Sequence, residues 1–385
     1  MFLHSPRKLL LLHGKPRSGK TTLLEYLFQW ILSLNLPYYF TGFITREVKE
    51  AGERIGFNLV YLRDPDLTLP LAQLRSLTPS KKYPVLGKYS VFPQNLDKIL
   101  EIIQNDLTEA NRPPLLFIDE IGKMEVMSEK FIQFLEHLRE EVIVVATLGT
   151  GEHPLLKAWR EIKSALYCEV TPENRDFLQE RLKVEFQRKG KLFVLEGIDG
   201  VGKSTIFQML KEDLSFSDLI FSFEPTTGPY GQKLRRLLSE KKADPRELLN
   251  LFISDRKEHV EKLILPALKK GKPILLDRYY LSTVAYQGVE FSNLLELLRT
   301  NETFAPLPDL VIYLDLSVEQ ALQRVISRNQ GKSLFEREEF LRSVSHNYEE
   351  ILPLFRHVRL PAWKTLESLY SDIKELIQSY LRPEI

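Results

Sequence analysis

Two stretches of this chain, GKPRSGKT at Gly14–Thr21 and GIDGVGKS at Gly197–Ser204, share the pattern Gly-x4-Gly-Lys-Ser/Thr, and few short patterns restrict a fold more. Glycines at these spacings let successive backbone N–H groups turn inward around phosphate oxygens, and a helix opening at the lysine adds the favourable end of its dipole. Such a loop belongs between a strand and a helix. Lys8 to His13 is a short apolar run, and Leu23, Leu24, Leu27, Phe28 and Ile31 come after the first loop at helical spacing. Around the second loop, LFVLE supplies the strand, and Ile206, Met209, Leu210 and Leu214 supply the apolar stripe of the next helix. The pattern assigns Gly14, Lys15, Pro16, Arg17, Ser18, Gly19, Lys20 and Thr21 to nucleotide binding, and likewise Gly197, Ile198, Asp199, Gly200, Val201, Gly202, Lys203 and Ser204. Within them Lys20 and Lys203 reach the β/γ-phosphates, and Thr21 and Ser204 ligate Mg²⁺.

Two such loops need two sheets, and 385 residues are long for one hydrophobic core. Strands alternating with helices mean a parallel α/β sheet. The expected fold is therefore two P-loop α/β domains, each a mostly parallel sheet with helices on both faces. TPENRDFLQERLKVEFQRKGK is a charged, helix-like stretch ending at Gly190, just before the second half's first strand, which places the domains at 1–188 and 189–385. Lys plus Arg total 53 against 52 for Asp plus Glu, so no global charge draws the chain to nucleic acid or an anionic membrane. No segment approaches the roughly 18 apolar residues of a membrane span. The one cysteine, Cys168, cannot form an intrachain disulfide, which fits a reducing cytoplasmic setting, and it reads as a buried small apolar residue.

Beyond the two loops the halves diverge. After the first come two β-rich runs around EAGE, a hairpin with Gly52 at its tip, and later PPLLFIDEIGKME, which puts Asp119 and Glu120 at the end of an apolar strand. Hydrolysis needs a carboxylate for the Mg²⁺ shell, a group to position or deprotonate water, and positive charge for the transition state. Asp119 suits the first role and Glu120 the second; Arg46 and Lys123 are candidates for the third, each equally readable as a surface ion-pair partner. After the second loop, KPILLDRYYLSTVAYQG ends a strand at Asp277, a metal candidate, with Arg278 beside it where strand ends face a ligand crevice. LLNLFISDRKEHV sets Phe252 and Arg256 four residues apart on one helical face, suited to stacking on a base and donating to its carbonyl. RVISRNQGKS supplies Arg324, Arg328 and Lys332 in a polar stretch. A kinase acting on a nucleoside monophosphate needs no strong base, because its acceptor phosphate has a second pKa near ~6. It needs positioning and charge neutralisation, for which Lys203, Arg278, Arg324 and Arg328 are the catalytic candidates.

GKPRSGKTTL, GFITREVKEAGERIGFNLVYL, LGKYSVF, LLFIDEIGKMEVMSEKF, VVATLGTG and VTPENR together resemble the thermophile-type nucleoside-triphosphatase family over nearly all of residues 5–185. That resemblance implies a RecA-like sheet, hydrolysis of several NTPs to NDP and phosphate, and nucleotide contacts at residues 14–21 and 115–122. LEGIDGVGKST, EPTTGPYG, LFISDRKEH, DRYYLSTVAYQG, PDLVIYLDL and FEREEFLRSVSHNY resemble thymidylate kinase over roughly residues 190–382. This second resemblance implies phosphorylation of dTMP to dTDP with ATP as donor, and a homodimer through this half. It places Asp199 near the acceptor's 3′-hydroxyl, Phe252 and Arg256 on thymine, and Arg278 on the acceptor phosphate. Ser282 and Thr283 then stand by the base edge and Tyr286 against the sugar.

Two positions depart from the thymidylate kinase pattern. Phe223 stands where the family usually has an arginine gripping the acceptor phosphate, and Ser333 where the lid usually has an aspartate. One lost charge-assisted hydrogen bond is worth about 1.5–3 kcal/mol, so Lys233, Arg235 or Arg236 is expected to substitute, or the kinase is weak or altered. Two other functions stay open: a kinase for another nucleoside or nucleoside monophosphate, and a nucleotide-dependent sensor or nucleic-acid-stimulated NTPase with one degenerate site.

Overall fold

A computed structural model describes residues 2–78, 82–240, 244–326 and 334–382. The chain divides into two compact units, Arg7–Gln179 and Met1–Pro6 with Glu180–Ile385. The second unit thus begins earlier than the cut at 188/189 and takes in the start of the chain. Side-chain contacts within that unit give the reason. The helix Arg175–Phe186 ends with Arg181 Nη2 donating to the Ala305 carbonyl at 3.0 Å and Glu185 Oε1 accepting from Leu307 N at 2.7 Å. Phe2 packs edge-on against Phe186, with ring centroids 5.6 Å apart.

The first unit is built on nine strands: β1 (Leu9–His13), β2 (Tyr39–Glu50), β3 (Glu53–Tyr61), β4 (Thr68–Leu74), β5 (Val85–Leu86), β6 (Tyr89–Val91), β7 (Pro114–Ile121), β8 (Ile143–Leu148) and β9 (Leu166–Glu169). Their order is β5-β6-β4-β3-β2-β7-β8-β1-β9. From β2 through β9 every pairing is parallel, and from β2 outward through β3, β4, β6 and β5 every pairing is antiparallel. The parallel half carries the continuous apolar runs, as burial on both faces requires. Leu10, Leu11 and Leu12 of β1 are fully buried, and Cys168 is buried in β9. The hairpin turn lies at Ala51 and Gly52, both at positive φ (48° and 83°), the geometry a two-residue connection demands. The helix Lys20–Ser33 buries Leu23, Leu24, Leu27, Phe28 and Ile31, and Phe28 meets Phe117 of β7 at 5.1 Å.

The second unit holds β10 (Leu192–Glu196), β11 (Ile220–Phe223), β12 (Ile274–Asp277), β13 (Leu310–Asp315) and β14 (His357–Pro361), all parallel, in the order β11-β12-β10-β13-β14. All of β10 is buried at the middle of the sheet. The helix after its loop, Lys203–Glu212, buries Ile206, Phe207 and Leu210. Leu214, assigned to that stripe by its spacing, lies beyond the helix and is 89% exposed. Asp213 ends the helix: its Oδ1 accepts from Ser215 N at 2.9 Å, and Oδ2 pairs with Lys374 at 2.6 Å, so the chain turns before Leu214 can reach the core. Among the described residues, no helix is long and apolar enough to cross a membrane.

Gly42 of β2 lies opposite Phe117 of β7 with φ 139°, and a methyl group there would come within 1.9 Å of the Phe117 carbonyl oxygen. Gly42→Ala is expected to destabilise the first unit by about 2–4 kcal/mol. Denaturant unfolding followed through Trp30 and Trp159 fluorescence checks this.

Candidate active sites

In both units the phosphate loop closes on its own lysine. Lys20 Nζ donates to the carbonyls of Gly14 (3.1 Å) and Lys15 (3.2 Å), and Lys203 Nζ to those of Gly197 (2.7 Å) and Ile198 (2.9 Å). The helices begin right after Gly19 and Gly202, each at φ 97°, so a side chain at either glycine would be strained. Burial, and then the Arg278 charge, bring the Lys203 ammonium down to about 7, against the pull of Asp199, Asp277 and Glu196. The Ser18 hydroxyl is buried without a partner among the described residues, beside the space where phosphate oxygens would seat.

Asp119 and Glu120 stand at the end of β7, two strands from the loop of β1. Asp119 is 1% exposed; its Oδ1 accepts from Thr21 (3.2 Å) and from Thr147 (2.5 Å), and its carbonyl accepts from Thr45 (2.5 Å). Burial pushes its carboxyl up to about 6, with the threonine hydrogen bonds pulling the other way. A carboxyl held up by desolvation next to a loop hydroxyl is suited to a cation, which would restore its charge. Glu120 is also raised by burial, with the Lys20 charge opposing. A methyl group on Gly122 would meet Glu120 Oε1 at 2.5 Å and Glu125 Oε2 at 2.9 Å, so these two carboxyls share one small space. Burial, then the Glu120 charge, hold the Glu125 carboxyl well above its ordinary range, favouring its neutral form. Glu125 belongs to DEIGKME and Thr147 to VVATLGTG, yet nothing in the spacing of either motif gives these two residues a role. Of the two candidate cations, Arg46 is 58% exposed and forms an ion pair with Glu25 at 3.1 Å, and Lys123 is exposed. Both lie at the surface, and Arg46 has the ion-pair partner that the second of its two readings expects.

In the second unit a cavity of about 620 Å³ is lined by Asp199, Phe252, Arg256, Arg278, Ser282, Thr283 and Tyr286, so all seven candidate acceptor residues come together. Glu224 and Phe340 also stand on its wall. Arg278 Nη1 donates to Ser282 Oγ at 2.9 Å, Nη2 pairs with Asp199, and the guanidinium lies 5.2 Å from the Tyr286 ring centroid. Ser282 is fixed in turn: Glu196 Oε2 accepts from Ser282 Oγ (2.6 Å) and Tyr348 Oη (2.8 Å), while Oε1 accepts from Tyr279 N (2.9 Å). Arg256, 1% exposed, donates Nε to Glu224 (2.8 Å), Nη1 to Asn301 (2.5 Å) and Nη2 to Thr283 (2.8 Å). Glu224 Oε1 also meets His259 Nδ1 at 3.0 Å, and His259 Nε2 meets Ser222 Oγ at 2.8 Å. Ser204 Oγ donates to Asp277 Oδ2 at 3.2 Å, while Oδ1 is buried with no partner among the described residues. An unsatisfied buried carboxylate oxygen beside the loop hydroxyl fits a Mg²⁺ site.

Arg324 lies elsewhere: its Nη2 donates to the Ala362 carbonyl at 3.1 Å, in the loop after β14, on the side of β10 opposite β12. Arg328, Lys332 and Ser333 fall outside the described residues. Phe223 is 42% exposed and does not line the cavity. Nor does any of its three expected substitutes. Lys233 pairs with Glu247 at 2.8 Å, Arg236 approaches Glu240 at 3.9 Å, and Arg235 donates to the carbonyls of Pro225 (2.7 Å) and Thr226 (2.5 Å). Among the described residues Arg256 and Arg278 are the cations on the cavity wall, the first paired with Glu224 and the second with Asp199.

Two sheets, one all parallel and one parallel over the half that holds its loop, each carry a glycine loop that closes on a lysine with a strand-end carboxylate beside its Ser or Thr, and define a chain of two P-loop nucleotide-binding units. Residues 9–183 match the family model described as NTPase, and residues 195–373 match that of thymidylate kinase. Over its second half the chain belongs to the thymidylate kinase family. The thymidylate kinase of Desulfotalea psychrophila is 43% identical over 198 residues, 50% of this chain and 96% of that protein. That of Brachyspira hyodysenteriae is 39% identical over 192 residues, 49% and 94%. That of Akkermansia muciniphila is 46% identical over 154 residues, 40% and 74%.

Asn301 is fully buried on the helix Leu294–Glu302 and holds Arg256 through its side-chain oxygen. Asn301→Ala would leave a buried guanidinium N–H unsatisfied, at an expected cost of about 1–3 kcal/mol. Native-state hydrogen exchange of the helix Pro245–His259, which carries Arg256, should register that loss as reduced protection.

Proposed function

We propose that the chain is a bifunctional nucleotide enzyme: the first unit hydrolyses NTPs to NDP and phosphate, and the second transfers the γ-phosphoryl group of ATP to dTMP, giving dTDP. The observation that carries the proposal is the second unit's cavity, where Phe252, Arg256, Thr283 and Tyr286 surround a nucleoside-sized space, with Arg278 and Asp199 at its loop end. A phosphoryl transfer of this kind asks the protein mainly for position and charge. Arg278 is anchored by Ser282 and Asp199, so it meets the acceptor phosphate from a fixed place. Lys203 takes the donor phosphates, which restore its charge once bound. Phe252 stacks on thymine, Arg256 and Thr283 meet the base edge, and Tyr286 packs on the sugar. Arg324 and Arg328 serve the donor side.

In the first unit Glu120 positions and deprotonates the attacking water, with Lys20 on the β/γ-phosphates. Mg²⁺ bound by Thr21 and Asp119, and by Ser204 and Asp277, would neutralise phosphate charge at each site. The reading carries with it a cytoplasmic setting, small-molecule nucleotides as the partners, and self-association through the second unit.

Phe223 favours one second reading, a kinase whose acceptor is another nucleoside or nucleoside monophosphate. With no arginine at that position and none of Lys233, Arg235 and Arg236 on the cavity wall among the described residues, the acceptor phosphate has one strong contact fewer there. Rates with dTMP, dUMP, UMP and thymidine decide between the two; dTMP is expected to be the best acceptor, and its losing to any other would replace the first reading with the second. Lys203→Ala should lower dTDP formation at least about 100-fold and leave NTP hydrolysis in place, and Lys20→Ala should do the reverse. Loss of both activities from either substitution in folded protein would overturn two independent sites.

A further inference from the structure

One cation at the first phosphate loop has no structural task that accounts for it. Arg175 opens the helix Arg175–Phe186, and its side chain lies across Gly19: a methyl group on that glycine would come within 2.9 Å of Arg175 Cδ and 3.4 Å of its Nη1. The side chain is 41% exposed, and among the described residues its one ion pair is with its sequence neighbour Asp176, which is 86% exposed, at 3.3 Å. A pair so solvated contributes little. The backbone leading to Arg175 is fixed more firmly than the side chain. Val170 N donates to the His13 carbonyl at 2.7 Å, and Thr171 and Asn174 close a reciprocal turn, with Thr171 N on Asn174 Oδ1 (2.9 Å) and Asn174 N on Thr171 Oγ1 (3.2 Å). Asn174 Nδ2 anchors the turn to the Glu169 carbonyl at 2.8 Å. A rigid turn thus delivers a guanidinium to the surface of the phosphate loop.

The sheet order says which end of a bound nucleotide it meets. β1 lies between β8 and β9, and β7, which carries Asp119 and Glu120, lies beyond β8. The Thr21 to Asp119 hydrogen bond fixes the reacting, γ-phosphate end on the β7 side. Arg175 comes after β9, on the opposite side of the loop. A triphosphate laid along the loop from Glu120 therefore brings its α-phosphate and base out beneath Arg175.

We propose that Arg175 binds the nucleoside end of the NTP in the first unit, its guanidinium lying against the face of the base. A flat, delocalised cation stacks on any purine or pyrimidine and reads none of their edges. It therefore strengthens binding of every NTP to a similar degree and selects none. The proposal rests on the assignment of NTP hydrolysis to this unit.

The test uses full-length protein carrying Lys203→Ala, so that the second site contributes least, and compares Arg175→Met with Arg175. Methionine keeps an unbranched side chain over Gly19 and removes only the guanidinium, and Arg175→Ala serves as the harsher companion. For ATP and CTP alike, Arg175→Met is expected to raise KM about tenfold and change kcat less than about threefold. Binding of inorganic tripolyphosphate, which has no base, should change less than about threefold. A kcat loss of about 30-fold or more with KM unchanged would overturn the proposal by placing Arg175 at the γ-phosphate. Equal weakening of tripolyphosphate would make it a phosphate contact, and no change in folded protein would leave it a cover for Gly19; each overturns the proposal. Calorimetric binding of ADP, expected to weaken about tenfold in Arg175→Met, separates failure of this inference from failure of the hydrolysis reading. A protein that hydrolyses nothing yet shows that shift keeps the contact and loses the reaction.

Discussion

The closure of each phosphate loop on its own lysine is the interaction around which the rest is arranged. Lys20 and Lys203 are both nearly buried, and each donates to two carbonyls at its own loop's entry. Burial, and then the Arg278 charge, outweigh the pull of Asp199, Asp277 and Glu196, which is why the Lys203 pKa falls so far. The arrangement persists because apolar strands set the loop entry and helices packed on the sheet set its exit. A loop held this way is already shaped for an anion, and an anion is what would relieve it.

With the loop common to both units, the neighbours decide the chemistry. In the first, the carboxyls of Glu120 and Glu125 crowd Gly122, and that of Glu120 also crowds Gly149. In the second, the corresponding region opens into a nucleoside-sized cavity, and the acidic groups there are turned to holding arginines. Glu224 holds Arg256, Asp199 holds Arg278, and Glu196 fixes the serine to which Arg278 donates. A buried carboxylate crowds another carboxylate in one place and holds an arginine or its serine in the other, according to what it can reach.

The parts of this structure that were legible in the sequence share a local cause. β1, β7, β8 and β10 are continuous apolar runs because both their faces are covered, and the loops sit where such a run meets a helix. The hairpin tip was readable because a two-residue turn needs positive φ at both positions. Leu214 failed because its spacing continues the stripe while Asp213 ends the helix through contacts with the distant Lys374 and Tyr370. The strands β5 and β6, two and three residues long, were too short to give a signal of their own, and β4 buries only Leu71 and Ala72. The acceptor cavity could be named residue by residue only through family likeness; Asn301, Glu224 and His259, which hold Arg256 in place, lie far apart in the chain and meet through packing. Arg175 closes the VTPENR motif, and only the fold shows that it covers Gly19.

The central claim, two loops with different acceptors working independently, is tested most directly by following label from γ-labelled ATP in the unmodified protein with and without dTMP. Two independent sites predict that dTMP adds labelled dTDP while the rate of labelled inorganic phosphate release stays the same. No labelled dTDP, or phosphate release that rises and falls with dTMP, would contradict the account.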